Sequence, residues 1–165
     1  MIVVSDTSPV SNLIELGQIE ILPTLFQTVI IPSIVEQELF NHPDPFFKQK
    51  LFEITNNAWL EVVDTSQLFL PESIKNARLD PGESFAISLA LELKANALLI
   101  DERAGYKVAQ QLGLQPVGIL GILLESKKQG LIPSIRPLLL KLKHEIGFWI
   151  SDSLFNQILQ FANEA

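Results

Sequence analysis

The feature that most constrains the fold is an alternation of short apolar runs with stretches of helical periodicity. The runs at 2–4, 28–31 and 97–100 are almost continuously apolar, which is typical of strands buried on both faces of a parallel sheet. A run at 59–63 alternates enough to form an edge strand, and 115–117 gives a short fifth strand. The sequence therefore predicts an α/β domain, with a central, mostly parallel sheet of about four to five strands and helices on both faces.

The helical stretches carry recognisable start and stop residues. Pro81 directly after Asp80 predicts a helix with an acidic N-cap, and Ser33 followed by Glu36 predicts a capping box. Periodicity predicts helices over 10–16, 19–25 (broken near Pro23), 33–40, 46–54, 73–77, 81–94, 103–112, 119–128, 134–145 and 152–162.

Length and composition restrict the class of protein. The 165 residues, 47% of them hydrophobic, suit one domain over 1–165 with a sizeable core. No cysteine is present, which excludes disulfides and thiolate metal sites. Neither a signal-peptide pattern nor an apolar run near the roughly 20 residues of a membrane span occurs, so we expect a cytoplasmic protein without a membrane partner.

Two aspartates stand at the carboxyl ends of predicted strands. Asp6 follows the run 2–4 and Asp101 follows 97–100, so a parallel sheet would place both at the edge where ligands bind. Each has a structural alternative, because an aspartate in this position can also cap the helix that follows.

Two glutamates are predicted to face the protein interior. Glu38 lies about 200° around its helix from Glu36, on the side that Ile34 and Val35 are expected to bury. Glu83 closes a capping box with Asp80 on one interpretation, and on the other it lies on the apolar side of its helix. An acid facing the interior is costly unless a cation or strong hydrogen-bond donors accompany it.

Four acids are thus predicted to face one crevice: Asp6, Glu38, Glu83 and Asp101. They cannot all ionise there without compensation, because like charges raise one another's pKa. A hard divalent cation would supply that compensation, and the lack of cysteine favours Mg²⁺ or Mn²⁺ over zinc. His42 and His144 lack metal-ligand spacing, and we expect both on the surface.

The net charge of −7 argues against a protein that simply coats nucleic acid, but the charge is unevenly distributed. Residues 1–100 carry thirteen acids and five bases, whereas 103–143 carry seven bases and one acid. This pattern fits a carboxylate site beside a cationic surface, or else a set of ordinary solvated helix faces. The bases assigned to the surface are Arg103, Lys107, Lys127, Lys128, Lys141 and Lys143.

Several segments resemble PIN domains. The opening Val4-Ser5-Asp6-Thr7-Ser8-Pro9 is similar to the end of their first strand, and 31–39 is similar to their proline-started helix, with its acid where Glu38 stands. The segment 83–90 resembles their alanine-rich helix headed by an acid, although Asp is commoner there than Glu. The segment 98–101 resembles their last acidic strand end. The segments 130–137 and 147–148 are similar to a prokaryotic PIN-like subfamily of poorly defined function.

The resemblance implies a PIN-like domain with the activity of a VapC-type toxin, a metal-dependent ribonuclease. It implies that the four crevice acids hold one or two Mg²⁺ or Mn²⁺ ions, that Ser8 helps to orient metal or substrate, and that the basic residues guide the RNA. A small antitoxin protein and a second copy of the chain are the implied partners. The apolar residues 148–150 also favour a homodimer, unless the monomer buries them.

Two other functions compete with this interpretation. A phosphatase of the haloacid dehalogenase kind also begins with an aspartate after its first strand, but it needs a second aspartate where this chain has Ser8. The non-enzymatic alternative is a catalytically degenerate PIN-like module that binds RNA or a protein partner.

Overall fold

Five parallel strands form one sheet in the order β3-β2-β1-β4-β5 in the computed structural model, which describes residues 1–165. The strands are β1 (Val3–Ser5), β2 (Val29–Pro32), β3 (Leu60–Val63), β4 (Ala97–Leu99) and β5 (Pro116–Val117). Val4 of β1 pairs with Ile30 of β2 on one side and with Leu98 of β4 on the other. The predicted parallel α/β architecture is confirmed, including the edge position of β3.

Helices cover both faces of this sheet. They are α1 (Thr7–Glu15), α2 (Ile21–Phe26), α3 (Ser33–Phe40), α4 (Pro45–Thr55), α5 (Glu72–Lys75), α6 (Pro81–Leu93), α7 (Arg103–Gln111), α8 (Ile119–Lys128), α9 (Arg136–Lys141) and α10 (Asp152–Phe161). A π-helical turn, Leu142–Ile146, follows α9 directly. No helix has both the length and the apolar character that crossing a bilayer requires.

Two details of the helix prediction differ from the structure. Pro23 does not break α2, because it occupies the third position, where the amide has no intrahelical partner to lose. The helix expected at 134–145 begins only at Arg136 and changes to the π-helical turn after Lys141.

The predicted capping box of α3 is wrong. Pro32 is the N-cap residue, and it offers neither a side-chain oxygen nor an amide proton, so no such box can form. Ser33 lies inside the helix, and its hydroxyl accepts a hydrogen bond from the amide of Thr65 at 3.1 Å. Glu36 is therefore without the capping role that the sequence indicated.

Alternation along the strands divides the core into two layers. Val3 and Leu99 face the larger layer, which is built with residues of α1–α4 and α8–α10. Val4 and Leu98 face the smaller layer, to which α5, α6 and α7 contribute. The central position of β1 explains why its side chains are buried on both faces.

The order of the strands creates a crevice at one edge of the sheet. The chain builds β2 and β3 on one side of β1 and then crosses to β4 and β5 on the other side. The carboxyl ends of β1 and β4 therefore flank a topological switch point, where α/β proteins bind their ligands. Asp6 stands there directly after β1, and its amide donates to the carbonyl of Leu99 at 2.9 Å.

Candidate metal centre

Three carboxylates from different parts of the chain meet at this crevice. One oxygen from each of Asp6, Glu38 and Asp80 lies within 4.8 Å of the other two. Asp6 follows β1, Glu38 lies in α3, and Asp80 precedes α6. The structure thus brings together two of the acids that the sequence singled out, and it adds a third that the sequence assigned only to a helix cap.

Asp6 is the most deeply placed of the three. Its residue is only 3% exposed, and its Oδ1 is buried without any hydrogen-bond partner. The structural alternative for Asp6 was a side-chain cap of α1, but although Asp6 is the N-cap residue, its side chain makes no capping hydrogen bond. A buried carboxylate oxygen without a partner is costly, and a bound cation is one arrangement that offsets this cost.

Glu38 is held in place from two sides. The hydroxyl of Thr7 donates to its Oε2, and the amide of Gly82 donates to its Oε1 at 3.1 Å. These bonds connect α3 to the starts of α1 and α6, which carry the neighbouring acids. Because both donors approach the carboxylate, its orientation is fixed before any ligand arrives.

The Asp80 carboxylate both caps α6 and belongs to the three-carboxylate group. Its Oδ1 accepts the amide of Glu83 at 2.8 Å, so the predicted N-cap of α6 is confirmed. The same side chain also belongs to the three-carboxylate group with Asp6 and Glu38. The sequence offered no second signal for this residue, because the capping role already explained it.

Glu83 and Asp101 lie beside this group. Glu83 is 5% exposed, which confirms its inward orientation, and its carboxyl lies within hydrogen-bonding reach of Asp80. The structural alternative for Asp101, a cap of the helix that follows it, is wrong, because Glu102 is the N-cap residue of α7. The Oδ1 of Asp101 instead accepts the amide of Ile119, at the start of α8, at 2.8 Å. Its Oδ2 is buried without a partner, as Oδ1 of Asp6 is.

Three glycines make room for three of these carboxylates. A Cβ atom at Gly82 would overlap the carboxylate of Glu38. A Cβ at Gly105 would lie 2.9 Å from Oε2 of Glu83, and one at Gly118 would lie 2.9 Å from Oδ1 of Asp101. A side chain at any of these positions would push against a carboxylate. The glycines therefore let the backbone approach these acids closely.

The electrostatics of these carboxyl groups favour a bound cation. Burial, together with the nearby carboxylates, raises the pKa of Asp6 to about 7. Burial and the charge of Glu102 raise the pKa of Asp101 to about 6. Burial and the contact with Asp80 also hold the pKa of Glu83 well above its usual range. Without a cation, the site thus retains protons near neutral pH.

This donor set fits a hard divalent cation. It consists of carboxylate oxygens alone, and two buried oxygens have no partner within the protein. Mg²⁺ and Mn²⁺ prefer such ligands and often keep waters in their remaining positions. Asp6, Glu38 and Asp80 would hold the ion; Glu83 contacts Asp80 from outside this group, and Asp101 is not part of it.

The raised pKa values predict an unusual pH dependence for the metal-free protein. Asp6 and Asp101 bind protons more tightly in the folded state than in the unfolded chain, so deprotonating them costs stability as pH rises through about 6 to 7. We expect the metal-free melting temperature to rise by several degrees when the pH is lowered from about 8 to about 5. Added Mn²⁺ should stabilise the protein more at pH 8 than at pH 5, because metal ligands must be deprotonated. A calorimetric scan series would measure both effects, and a metal-free protein that is most stable at pH 8 would contradict the expectation.

Ser8 lies beside the three-carboxylate group and is not part of it. It lines a pocket of about 440 Å³ with Asn12, Asp101 and Arg103. We call it the polar pocket, and Asp101 forms part of its wall. The role of Ser8 in orienting metal or substrate stays a prediction.

The predicted cationic residues are spread over several helices. Arg103 and Lys107 are exposed on α7, which begins two residues after Asp101. Lys128 is exposed on α8, and Lys141 is half-buried on α9. Only Arg103 of these four lines a pocket that Asp101 also lines.

Lys127 and Lys143 are engaged in contacts within the protein. Lys143 donates to Asp152 at 2.9 Å, and Lys127 donates to Glu164 at 2.8 Å. Burial alone would raise the pKa of Glu164, but hydrogen bonds from Lys127, Ser134 and two backbone amides lower it to about 2. Lys127 thus helps to fasten the last residues of the chain to the start of α9.

A comparison with protein families agrees with this geometry. A family model described as a PIN domain matches residues 2–164, a range that includes all five acids of the site. Among curated proteins, no sequence matches the chain.

Proposed function

The chain belongs to the PIN-domain family, and from this premise we propose that it is a ribonuclease that hydrolyses RNA phosphodiester bonds with Mg²⁺ or Mn²⁺. PIN domains are generally nucleases, and the cluster of three carboxylates at the crevice fits a metal site. The observation that supports the proposal most is the pair of buried, unpartnered carboxylate oxygens on Asp6 and Asp101. Such oxygens call for an explanation, and a bound divalent ion at the crevice supplies one.

In this reaction, some residues of the chain would bind the metal ion and others would orient its ligands. A bound divalent ion would activate water and stabilise the charge that develops on the phosphate and the leaving oxygen. Asp6, Glu38 and Asp80 would hold the ion, and Thr7 and the amide of Gly82 would keep Glu38 oriented.

The substrate would approach through the polar pocket. Arg103 there offers a guanidinium to an RNA phosphate, and Ser8 and Asn12 offer neutral polar groups, beside the carboxylates of Asp101 and Glu102. Lys107 is exposed on the same helix as Arg103 and would extend the cationic surface. We assign RNA as the substrate because of the resemblance to VapC-type enzymes and because the basic side chains of Arg103 and Lys107 are exposed near Asp101.

Metal dependence is the direct test of the proposed activity. We expect purified protein to cleave RNA with Mn²⁺ or Mg²⁺, to lose cleavage in EDTA, and to regain it when the ion is restored. Denaturing gels of a labelled RNA would follow the reaction, and calorimetric titration with Mn²⁺ would measure binding separately. Cleavage that persists in EDTA would contradict the mechanism. A protein that binds no Mn²⁺ and cleaves nothing would favour the degenerate binding module instead.

The proposed biological role is that of a toxin with a small antitoxin protein as partner, in the cytoplasm. The support is the resemblance to VapC-type toxins, which are neutralised in this way. Co-expression with the product of the adjacent upstream gene would test it, because a cognate antitoxin should restore growth that the toxin arrests.

A homodimer is also proposed, and exposed apolar residues elsewhere on the chain support it better than the segment 148–150. Ile150 is buried and Phe148 is half-buried, so the segment 148–150 offers less apolar surface than the sequence indicated. Near the sheet edge, however, Phe69 is 73% exposed and Val62 is 39% exposed. Phe69 lines a groove of about 730 Å³ between α6 and the segment before α5. We expect a dimeric mass in light scattering, and a monomeric mass at high concentration would reject the dimer.

A further inference from the structure

The outer edge of β3 is a strand edge that no other part of the chain pairs with. In the sheet, β3 has β2 as its only neighbour. No backbone hydrogen bond joins residues 60–63 to any other segment of the chain. The amide and carbonyl groups along such an edge are a template for a further strand. Val62 is exposed on β3, so this free edge also carries an apolar side chain.

A groove adjoins the free edge of β3. It lies between α6 and the segment 64–71, which follows β3, and it has a volume of about 730 Å³. We call it the edge groove. Val63, the last residue of β3, forms part of its wall, and Leu89 and Leu93 of α6 line it on the other side. The groove and the free edge therefore form one continuous surface.

Phe69 is held at this groove as an exposed aromatic side chain. The hydroxyl of Ser88 donates to the carbonyl of Phe69 at 3.0 Å, which fastens the segment 64–71 to α6. The ammonium of Lys75 lies 5.7 Å from the centroid of the Phe69 ring. These contacts fix Phe69 before any partner arrives, and such preorganisation lowers the entropy cost of binding. An apolar groove with a fixed, exposed phenyl ring is typical of a protein-binding surface.

The charges around the edge groove are acidic. Asp64 and Glu92 line it, and no basic residue does. Glu61 is exposed and lies on the same face of the sheet as Val63, because alternate residues of a strand share a face. Hydrogen bonds from Ser66 lower the pKa of Asp64, which therefore stays ionised near neutral pH. A basic segment would complement these acids, whereas a second copy related by a two-fold axis would bring like charges together.

We propose that the edge groove and the free edge of β3 bind an extended, basic segment of a partner protein. The segment would add a strand beside β3 and place an apolar side chain against Phe69. Backbone pairing would supply affinity, and alternating apolar and basic side chains would supply specificity. None of Asp6, Glu38 and Asp80 lines the edge groove, so the bound partner would leave the metal centre open. The segment would displace a second copy of the chain from Phe69.

Binding of a short peptide tests this proposal directly. The probe is a fluorescein-labelled peptide with blocked ends that alternates lysine with valine. In EDTA at low salt, we expect its fluorescence anisotropy to rise in a saturable way with protein concentration. Replacing each lysine with glutamate should weaken binding at least about 10-fold, because the acids of the groove would repel it. Methylating the backbone amides should weaken binding similarly, because the added strand would lose its donors. Equal binding of the methylated peptide would overturn the proposal.

Two substitutions separate this surface from a general attraction to an acidic protein. Phe69→Ala should weaken peptide affinity roughly 10- to 100-fold, the loss expected when one phenyl ring leaves a buried contact. Glu92→Gln should weaken it about 2- to 5-fold, as loss of an exposed charge pair does. Phe46→Ala and Glu145→Gln are the matched controls, because they remove an exposed phenyl ring from α4 and an exposed charge from the π-helical turn. Both controls should bind the peptide like the unsubstituted protein, and equal affinity in all four variants would refute the assigned surface.

The metal centre and the homodimer supply the remaining outcomes. Mn²⁺ should leave peptide binding unchanged, because the ion and the peptide occupy separate surfaces. Release of the peptide by Mn²⁺ would place it on the crevice acids instead, against the proposal. In light scattering, saturating peptide should give the mass of one chain with one peptide. A dimer that excludes the peptide would show that a second copy fills the edge groove, which would also contradict the proposal. These measurements use no RNA, so their result is independent of the proposed ribonuclease function.

Discussion

Glu38→Gln is expected to reduce RNA cleavage by at least about 100-fold, because it removes a charge that the metal centre needs. The fold should survive, since the amide of Gln can keep both contacts: its oxygen accepts from Gly82, and its NH₂ can donate to the Thr7 hydroxyl. In EDTA, the variant should melt at the same temperature as the unsubstituted protein or higher, because one of the crowded carboxylates has gone. Cleavage rates with Mn²⁺ and calorimetric melting curves measure the two effects separately.

Glu36→Gln is the matched control two residues away. Glu36 lies on the same helix but outside the three-carboxylate group, and the structure shows no capping bond for it. We therefore expect cleavage and stability to remain close to those of the unsubstituted protein, and Glu36→Ala should also cost little. If Glu36→Gln abolished cleavage while Glu38→Gln left it intact, the position of the site on α3 would be wrong.

The sequence predicted the position of the site because the relevant signals are local. Asp6 and Asp101 each follow a short apolar run, and the parallel sheet brings such strand ends to one edge. The inward direction of Glu38 depended only on helix geometry, which is why it held although the capping box of α3 was wrong.

What the sequence missed depends on contacts between distant segments. Asp101 caps α8 and not the helix that follows it directly, and only the folded chain brings Ile119 to its side chain. The glycines were the unused signal: Gly82 stands in the first turn of α6, where glycine is less favourable than alanine. Such a glycine indicates a close approach, and the structure shows that the approaching group is Glu38.

Asp80→Asn is expected to lower Mn²⁺ affinity and cleavage by about 10- to 100-fold or more, although a cap residue would tolerate this change. Asparagine caps helices as well as aspartate does, so the bond to the amide of Glu83 should remain and the metal-free stability should not fall. Loss of the Asp80 charge should also bring the pKa of Glu83 down, because contact with Asp80 helps to raise it. Asp80→Ala would add the loss of the cap, about 0.5–2 kcal/mol of stability.

Asp44→Asn provides the control for this experiment, because Asp44 has the same local structure without the metal centre. It is the N-cap of α4, is followed by Pro45, and accepts the amide of Phe46 at 2.9 Å. Both substitutions should therefore leave the caps intact, and only Asp80→Asn should weaken Mn²⁺ binding in calorimetric titration. If Asp80→Asn bound Mn²⁺ and cleaved RNA like the unsubstituted protein, Asp80 would be a cap alone. The ion would then belong to Asp6, Glu38, Glu83 and Asp101, the set that the sequence indicated.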